Sequence, residues 1–496
     1  MFPRLVLFMH QVRFRFCRSG NFRRQHRCRI QPKSVTIWTA WLAFFFLSDA
    51  TLATAQQRIT QDIASEAGLG PENVQAGSSD ATKDAPPSST LVLVAPLVSK
   101  YVYLINANAE ILHRWDFEIT GSNAYLFPDG TLMRSSQEPE TSLYDGRGSF
   151  GRIQKVDWDG KLLWDFKYAD EKQLQHHDFE LLPNGNVLFI AWEKLSKEQA
   201  LSAGRRSEKL TSNELYSEKI VEVRPSGLTG GEEVWVWRLW DHLVQDADPQ
   251  LPNYAAPKDR PRRVDVNFAM TPRADWIHMN AIDYHPEWDQ IIVSARFDDE
   301  LWVIDHSTTT AEARTGQGGR GGHGGDLLYR MGNPQAYGAG TLDDKLIFGQ
   351  HDCRWILPGY PGAGDITVFN NGTSPPRTGF SSVEQFHLPV SASGQYTVNP
   401  DGSFRSPEVM WSYSRGQEMF SFRISGAERL KSGNTLICSG DQPWILEVAP
   451  DKSVVWQTKH RFVGPAEAEG FENGAMFRAP GYTLDYFEPH IQAQLK

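Results

Sequence analysis

Three histidine-bearing stretches carry residue types that could do chemistry. His351 lies in Gln350-His351-Asp352, His278 in Asp275-Trp276-Ile277-His278, and the pair His176-His177 precedes Asp178. Each stands just before, or at the start of, an apolar run that reads as a strand. An uncharged imidazole is a good nucleophile near neutral pH, because its ordinary pKa is about 6.5. It can accept a sulfuryl or phosphoryl group and hand it on, splitting one displacement into two. Arg296 ends the run QIIVSAR, and its planar, permanently charged guanidinium suits the oxygens of a tetrahedral anion. His278 and His177 could supply the remaining role, protonating a leaving oxygen and later deprotonating an acceptor. Strand alternation lets only one of His176 and His177 face such a site, and the sequence leaves both open. His176 and Asn280 are candidate substrate contacts, although Asn280, like Asp275, could instead be structural. Asp352 adjoins His351, yet a strand neighbour points to the opposite face.

Taken singly, each histidine is more simply a hydrogen-bonded core residue, and Arg296 a surface cap. Only their convergence gives them a shared chemistry. Zinc sites commonly show local pairs such as HxH or HxxxH, and none occurs here, so neither a metal nor another cofactor is expected. Gly316-Gln317-Gly318-Gly319-Arg320-Gly321 formally matches GxGxxG but opens no recognisable helix of a βαβ unit, so a lid or connector is the better reading. Asn371-Gly372-Thr373 reads as part of a strand-ending turn.

The elements that must position these residues form a repeat. One half is a hairpin whose second strand ends in an aromatic: YVYLINANAEILHRWDF, IQKVDWDGKLLWDF, IVEVRPSGLTGGEEVWVW, LWVIDHS…GDLLYRMG, YTVNPDGSFRSPEVMWSY and ILEVAPDKSVVWQT. The closing aromatics are Trp115, Trp164, Trp237, Tyr329, Trp411 and Trp456. The other half follows each time, with PDG, PNG or SGN turns in NAYLFPDGTLM, DFELLPNGNVLFI and ERLKSGNTLICS. Two hairpins make a four-stranded sheet that buries its faces only against neighbouring sheets. The expected fold is all-β, a six-bladed β-propeller with long loop insertions, over residues 90–490. The insertions are Glu193–Ser217 (a short helical excursion), Asp241–Ala274 and Thr315–Asp326. The segment LVLVAPL is expected to pair near AMFRAPGYTLDY and close the ring, since an open sheet edge is a liability.

Residues 1–33 hold nine Arg or Lys and no Asp or Glu, Ile37–Leu47 is apolar, and Ala53-Thr54-Ala55 fits a small-residue cleavage site. That order over residues 1–55 reads as a signal peptide or an N-terminal export or anchor segment. Residues 56–89 read as a disordered linker. The mature chain is expected to be exported, periplasmic or extracellular, without stable membrane embedding of its domain. After Ala55, 41 basic residues face 59 acidic ones, which argues against a nucleic-acid partner. Only Cys353 and Cys438 remain beyond the presequence, and two free thiols are the simpler reading. The oligomeric state is not legible.

Together, the ordered stretches LVLVAPLVSKYVYLIN, HHDFELLPNGNVL, EVWVWRLWDHLVQD, DWIHMNAIDY, IIVSAR, LWVIDHSTTT, GGDLLYRMGNP, GQHDCRWI and ITVFNNG resemble the aryl-sulfate sulfotransferase family of secreted bacterial proteins, from Thr90 to about Tyr486. The resemblance implies a six-bladed propeller and a PAPS-independent transfer of sulfate from a phenolic sulfate donor to a phenol acceptor. It implies His351 as the nucleophile that becomes sulfohistidine, with His278, Arg296 and His177 supporting it. Some members carry a separate N-terminal β-domain and a closely spaced cysteine pair; this chain has neither pattern. A binding module without turnover, and a sulfatase-like hydrolase, are the competing readings.

Overall fold

The structure, a computed structural model, describes residues 88–139, 148–268, 274–442, 444–459 and 474–496. The expected export segment and nearly all of the linker lie outside the described residues. The described chain is all-β with few, short helices.

Its strand pairing resolves into groups of four antiparallel strands. The third group in chain order runs Gln173–Leu181, Val187–Ser196, Glu214–Ser226 and Gly230–Arg238. The fourth runs Met279–His285, Gln290–Ala295, Glu300–Asp305 and Tyr329–Met331. The fifth is His351–Trp355, Ile366–Asn370, Ser382–His387 and Glu408–Tyr413, and the sixth is Gly426–Arg429, Thr435–Ser439, Trp444–Val448 and Val454–Lys459. The first two groups are joined in one sheet by the long strand Ile111–Leu126. Its first half pairs with Ser99–Ile105 and its second half with Leu132–Gln137, which continues to Gly151–Val156 and Leu162–Lys167. The segments HRWDF and NAYLF, which read as separate strands in the sequence, are thus parts of one strand. The first group is completed by Leu91–Val94, which pairs with Ser99–Ile105 on one side and with Gly481–Tyr482 on the other. The two ends of the domain therefore share one sheet, through Leu91 opposite Tyr482 and Val92 opposite Gly481.

Period-two alternation builds the core between sheets. Leu91 and Leu93 pack with Leu126, Leu132 and Val156 of the second group, while Val92 and Val94 pack with Leu436, Cys438 and Ile445 of the sixth. Ile153 and Trp164 of the second group meet Phe179 and Phe189 of the third. Ile190 and Trp237 of the third meet Val293 and Trp302 of the fourth, and Val303 and Tyr329 of the fourth meet Val368 and Phe386 of the fifth. Phe369 and Val383 of the fifth meet Ile437 and Leu446 of the sixth. The apolar clusters thus run around a closed ring, the arrangement of a propeller.

The closing aromatics add a polar contact to each of these junctions. The Nε1–H of Trp115 donates to the carbonyl of Asp157 (3.3 Å), Trp164 to Gly230 (2.9 Å), Trp237 to Gly325 (2.8 Å) and Trp411 to Pro450 (3.1 Å). The Tyr329 hydroxyl donates to Arg405 (2.8 Å), and Trp456 donates to Ala107. Every acceptor precedes or opens the fourth strand of the next group, so each aromatic reaches across one junction. A polar tip on a large apolar body does both jobs, which phenylalanine could not.

The excursion after Glu193 contains the helix Lys197–Ser202, capped by Ser196 in a capping box with Gln199. The stretch Asp241–Ala274 contributes a short parallel pair, Leu243–Val244 with Val264–Asp265. The glycine-rich loop acts as a connector: its Gly325 carbonyl receives Trp237, and Asp326 binds His242 (2.8 Å) and Arg263 (3.2 Å). Cys353 and Cys438 are buried free thiols. No helix among the described residues is long and apolar enough to cross a membrane.

Candidate active site

The first strands of the third to sixth groups pack against one another in order, and the histidines lie within the first strand of the third group, just before that of the fourth and at the start of that of the fifth. Each of these three strands departs from regular pairing there. Register shifts fall between Gln175 and Phe179, between Met279 and Ile282, and between His351 and Arg354. His177, His278 and Asp352 have φ of 50°, 57° and 53°, a conformation that costs about 1–3 kcal/mol for such residues. The bulges re-aim side chains that a regular strand would send to alternate faces.

His351 is 3% exposed, and both of its ring nitrogens have fixed roles. The Asn371 amide donates through Nδ2 to the carbonyls of Ser421 (2.9 Å) and Ile424 (3.0 Å), which turns its Oδ1 toward His351 Nδ1 at 2.7 Å. An oxygen there accepts, so Nδ1 carries the proton. On the other side, the Ile424 N–H donates to Nε2 at 3.2 Å, so Nε2 holds a lone pair. Burial, and then the positive charge of Arg296, hold the ring well below the ordinary histidine range. His351 is therefore a neutral imidazole with its lone pair on Nε2.

His177 and His278 meet edge to face, with ring centroids 4.5 Å apart. His278 Nδ1 is held by Asp275 Oδ2 at 2.5 Å, three residues upstream. Its ring lies 5.1 Å from that of Phe297, and the Arg296 guanidinium stands 5.3 Å from the same ring. Phe477 bridges the other side, 6.0 Å from His177 and 5.9 Å from His351. Burial and then the charges of His278, His176, His351 and Arg296 lower His177 well below its ordinary value. The structure thus brings His177, His278, His351 and Arg296 into one electrostatic neighbourhood with two phenylalanines.

His176 lies behind His177. Its ring stacks on Trp192 at 4.1 Å, its Nδ1 meets His177 Nδ1 at 2.8 Å, and its Nε2 meets Glu218 Oε2 at 3.0 Å. Asn280 is fully buried and donates to the Gln350 carbonyl at 2.8 Å, bracing the strand end that carries His351. Asp178 and Asp352 turn away from their histidines and are both gripped by Arg478, at 2.8 and 2.9 Å. Asp178 also accepts from the N–H of Ile282 at 3.1 Å. One buried cation therefore ties the His177 strand to the His351 strand.

Sequence reasoning passed over Asn371, Glu218, Phe297 and Phe477, and left Asp275 as a structural neighbour. Only Asp275 carried a local signal, its three-residue spacing from His278. Chemically, the arrangement offers a neutral nucleophile, a fixed cation for a tetrahedral anion, imidazoles for proton transfer, and aromatic faces for a ring. Among the described residues no cluster of His, Cys, Asp and Glu is arranged to hold a metal ion.

Residues 98–455 match the family model described as Arylsulfotransferase (ASST). No curated protein matches the chain. Among solved structures the chain is similar to a protein of unknown function from Bacteroides caccae, at 13% identity and a TM-score of 0.42, covering 79% of this chain and 99% of that one. It is similar to a putative 6-phosphogluconolactonase from Bacteroides fragilis at 11% identity and 0.38, covering 81% and 99%. It is also similar to the Cps50 (Swd1) β-propeller domain of Myceliophteria thermophila at 10% identity and 0.34, covering 74% and 82%.

Proposed function

Since the chain belongs to the arylsulfotransferase family, we propose that it moves a sulfuryl group from a phenolic sulfate ester to a phenolic acceptor in two displacements, without a nucleotide donor. His351 Nε2 attacks sulfur, the N–S bond forms, and the bond from sulfur to the phenolic oxygen breaks. The acceptor phenol then attacks the sulfohistidine and restores the imidazole. The observation that carries this reading is the fixed tautomer of His351: Asn371 Oδ1 accepts from Nδ1–H, leaving the Nε2 lone pair as the nucleophile. The Ile424 N–H must release that lone pair as the donor arrives.

Arg296 balances the sulfate charge, and a fixed donor of this kind is typically worth about 10²–10³ in rate. A phenolate leaves more readily if it is protonated as it departs. His278, oriented by Asp275, and His177 stand within the same neighbourhood to supply that proton and to recover it from the acceptor. Phe297 and Phe477 offer faces on which an aryl ring can lie. We further propose that the chain is exported, on the basic, apolar and small-residue order of residues 1–55.

The test is incubation with a chromogenic phenyl sulfate, with and without an added phenol. Phenol-dependent release with sulfated acceptor is the expected result. Release that ignores the phenol would replace transfer by hydrolysis, and no release at all would leave a binding module.

A further inference from the structure

Behind the site lies a chain of buried groups that the two displacements do not themselves use. Glu218 Oε2, His176 Nε2, His176 Nδ1 and His177 Nδ1 are linked by contacts of 3.0 and 2.8 Å. His176 and Glu218 are fully buried, and His177 is 4% exposed. Trp192 covers the face of the His176 ring, and the N–H of Met279 holds Glu218 Oε1 at 2.8 Å. Two nitrogens that both carried protons, or both lacked them, could not bond at 2.8 Å. Exactly one proton therefore lies between His176 and His177, and its position fixes both tautomers.

We propose that Glu218 and His176 form a proton relay behind His177, so that the proton exchanged with the phenolic oxygen is stored on Glu218. The proposal rests on the sulfuryl-transfer reading. In one state Glu218 is a carboxylic acid that donates to His176 Nε2, His176 Nδ1–H donates to His177 Nδ1, and His177 presents Nε2–H. When the donor ester breaks, His177 Nε2–H passes to the departing phenolic oxygen. The Nδ1 proton of His176 moves to His177 Nδ1, and the Glu218 proton moves to His176 Nε2. One phenol has gained a proton and Glu218 has become a carboxylate, while both histidines are neutral before and after. The acceptor phenol reverses every step as its oxygen attacks sulfohistidine. Each half-reaction thus resets the other.

The surroundings favour storage on the carboxyl group. Burial, and then the charge of Asp275, raise Glu218 well above the ordinary carboxylate range, while His278 and the Met279 N–H act the other way. Burial lowers His176 to about 3, so an imidazolium there is disfavoured and the protons must move together. Arg296 and His278 also disfavour a cation on His177. Glu218 and His176 are positioning residues in this scheme, acting through His177.

Glu218→Gln keeps an acceptor for Met279 and a donor for His176 but cannot give up its proton. The variant should still form the sulfohistidine adduct with an activated nitrophenyl sulfate at close to the wild-type rate. With an unactivated phenyl sulfate it should lose about 10²–10⁴-fold, the usual worth of general acid catalysis. His176→Phe keeps the stack on Trp192 and should show the same selective loss. In the wild-type enzyme, the unactivated donor should show a bowed dependence of rate on the deuterium fraction of the solvent, because several protons move in one step. Equal losses for both donors, or no loss, would overturn the relay. If neither variant accumulates as folded protein, a linear deuterium dependence in the wild type would overturn it alone. Absence of any His351 adduct in the wild type would instead remove the transfer reading on which the relay rests.

Discussion

His306 gives the sharpest pH-dependent test of how the third and fourth groups are held together. It follows the third strand of the fourth group and bonds Asp289 Oδ1 at 2.7 Å through Nδ1. Its Nε2 reaches Glu222 Oε2 of the third group at 3.1 Å. The ring also lies 4.7 Å from Trp235 and 5.4 Å from Tyr284, and Arg320 stands 3.9 Å from Asp289. Burial alone would lower His306, but the two hydrogen-bonded carboxylates overcome it and raise the ring to about 9. Against an ordinary 6.5, at about 1.36 kcal/mol per pKa unit, the clamp is worth about 3 kcal/mol. The His306 bonds lower Asp289, and at Glu222 burial is outweighed by His306 together with Asn186 and Asn184; the His306 share of those shifts is the same energy seen from the partners and is not added. Because the folded pKa is raised, the stabilisation is complete below about pH 6.5 and is lost as pH rises through about 9. Urea unfolding of wild type and His306→Gln should differ by about 3 kcal/mol at pH 6 and converge by about pH 10. A gap that is constant with pH, or that widens toward high pH, would refute the clamp.

His351→Ala should abolish both turnover and the acid-labile sulfuryl adduct, which mass spectrometry of a mildly alkaline digest should find on the Gln350-His351-Asp352 peptide. Arg296→Lys keeps the charge but loses the planar fork, and should slow both half-reactions by about 10²-fold while still permitting adduct, measured by rapid quench. Asn371→Ala removes the acceptor that fixes the His351 tautomer; a buried bond of this kind is worth about 1–3 kcal/mol, so kcat should fall by about 10–10² with KM little changed. At Gly148, with φ of 86°, an added Cβ would come within 2.2 Å of the His177 ring. Gly148→Ala should therefore displace His177 and lower kcat/KM by about 10²-fold, checked by steady-state kinetics.

The sequence carried the repeat and the residue types of the site, and it failed where neighbours meet through sheet register. The closing aromatics were visible because each is a polar-tipped ring at the same place in a repeated hairpin, although in the folded chain Trp115 lies inside a longer strand and Tyr329 opens one. Asp352 is held by Arg478 and Arg354 rather than by His351, but its φ of 53° places it in the bulge, so regular alternation is not what separates the two. The alternation rule did not decide the His176-His177 pair, because the φ of 50° at His177 breaks it. Both rings are buried, one in the site and one between it and Glu218. Asn371 looked like a turn residue because its two anchoring carbonyls, on Ser421 and Ile424, come from far downstream. Glu218 lay in a mid-strand run, and only the pairing of Trp192 with Glu218 and the packing of Met279 reveal its neighbours. Local spacing cannot encode contacts made across sheets.

The aromatic contacts that cross each junction have a topological consequence. Trp456 of the sixth group donates to Ala107 of the first, so the series of contacts returns to its origin. A cycle has no privileged starting point. The first group already tolerates a break in the covalent chain, since Leu91–Val94 and Gly481–Tyr482 enter it from opposite ends of the domain. Any other group is held by the same kinds of contact on both flanks. The order in which the strands are translated is therefore separable from the ring they build. A permuted gene that links the two present ends and opens the chain at an exposed outer turn, such as Asp159-Gly160, where a Cβ added at Gly160 would meet no atom within 4 Å, would encode the same ring with its termini moved to another sheet.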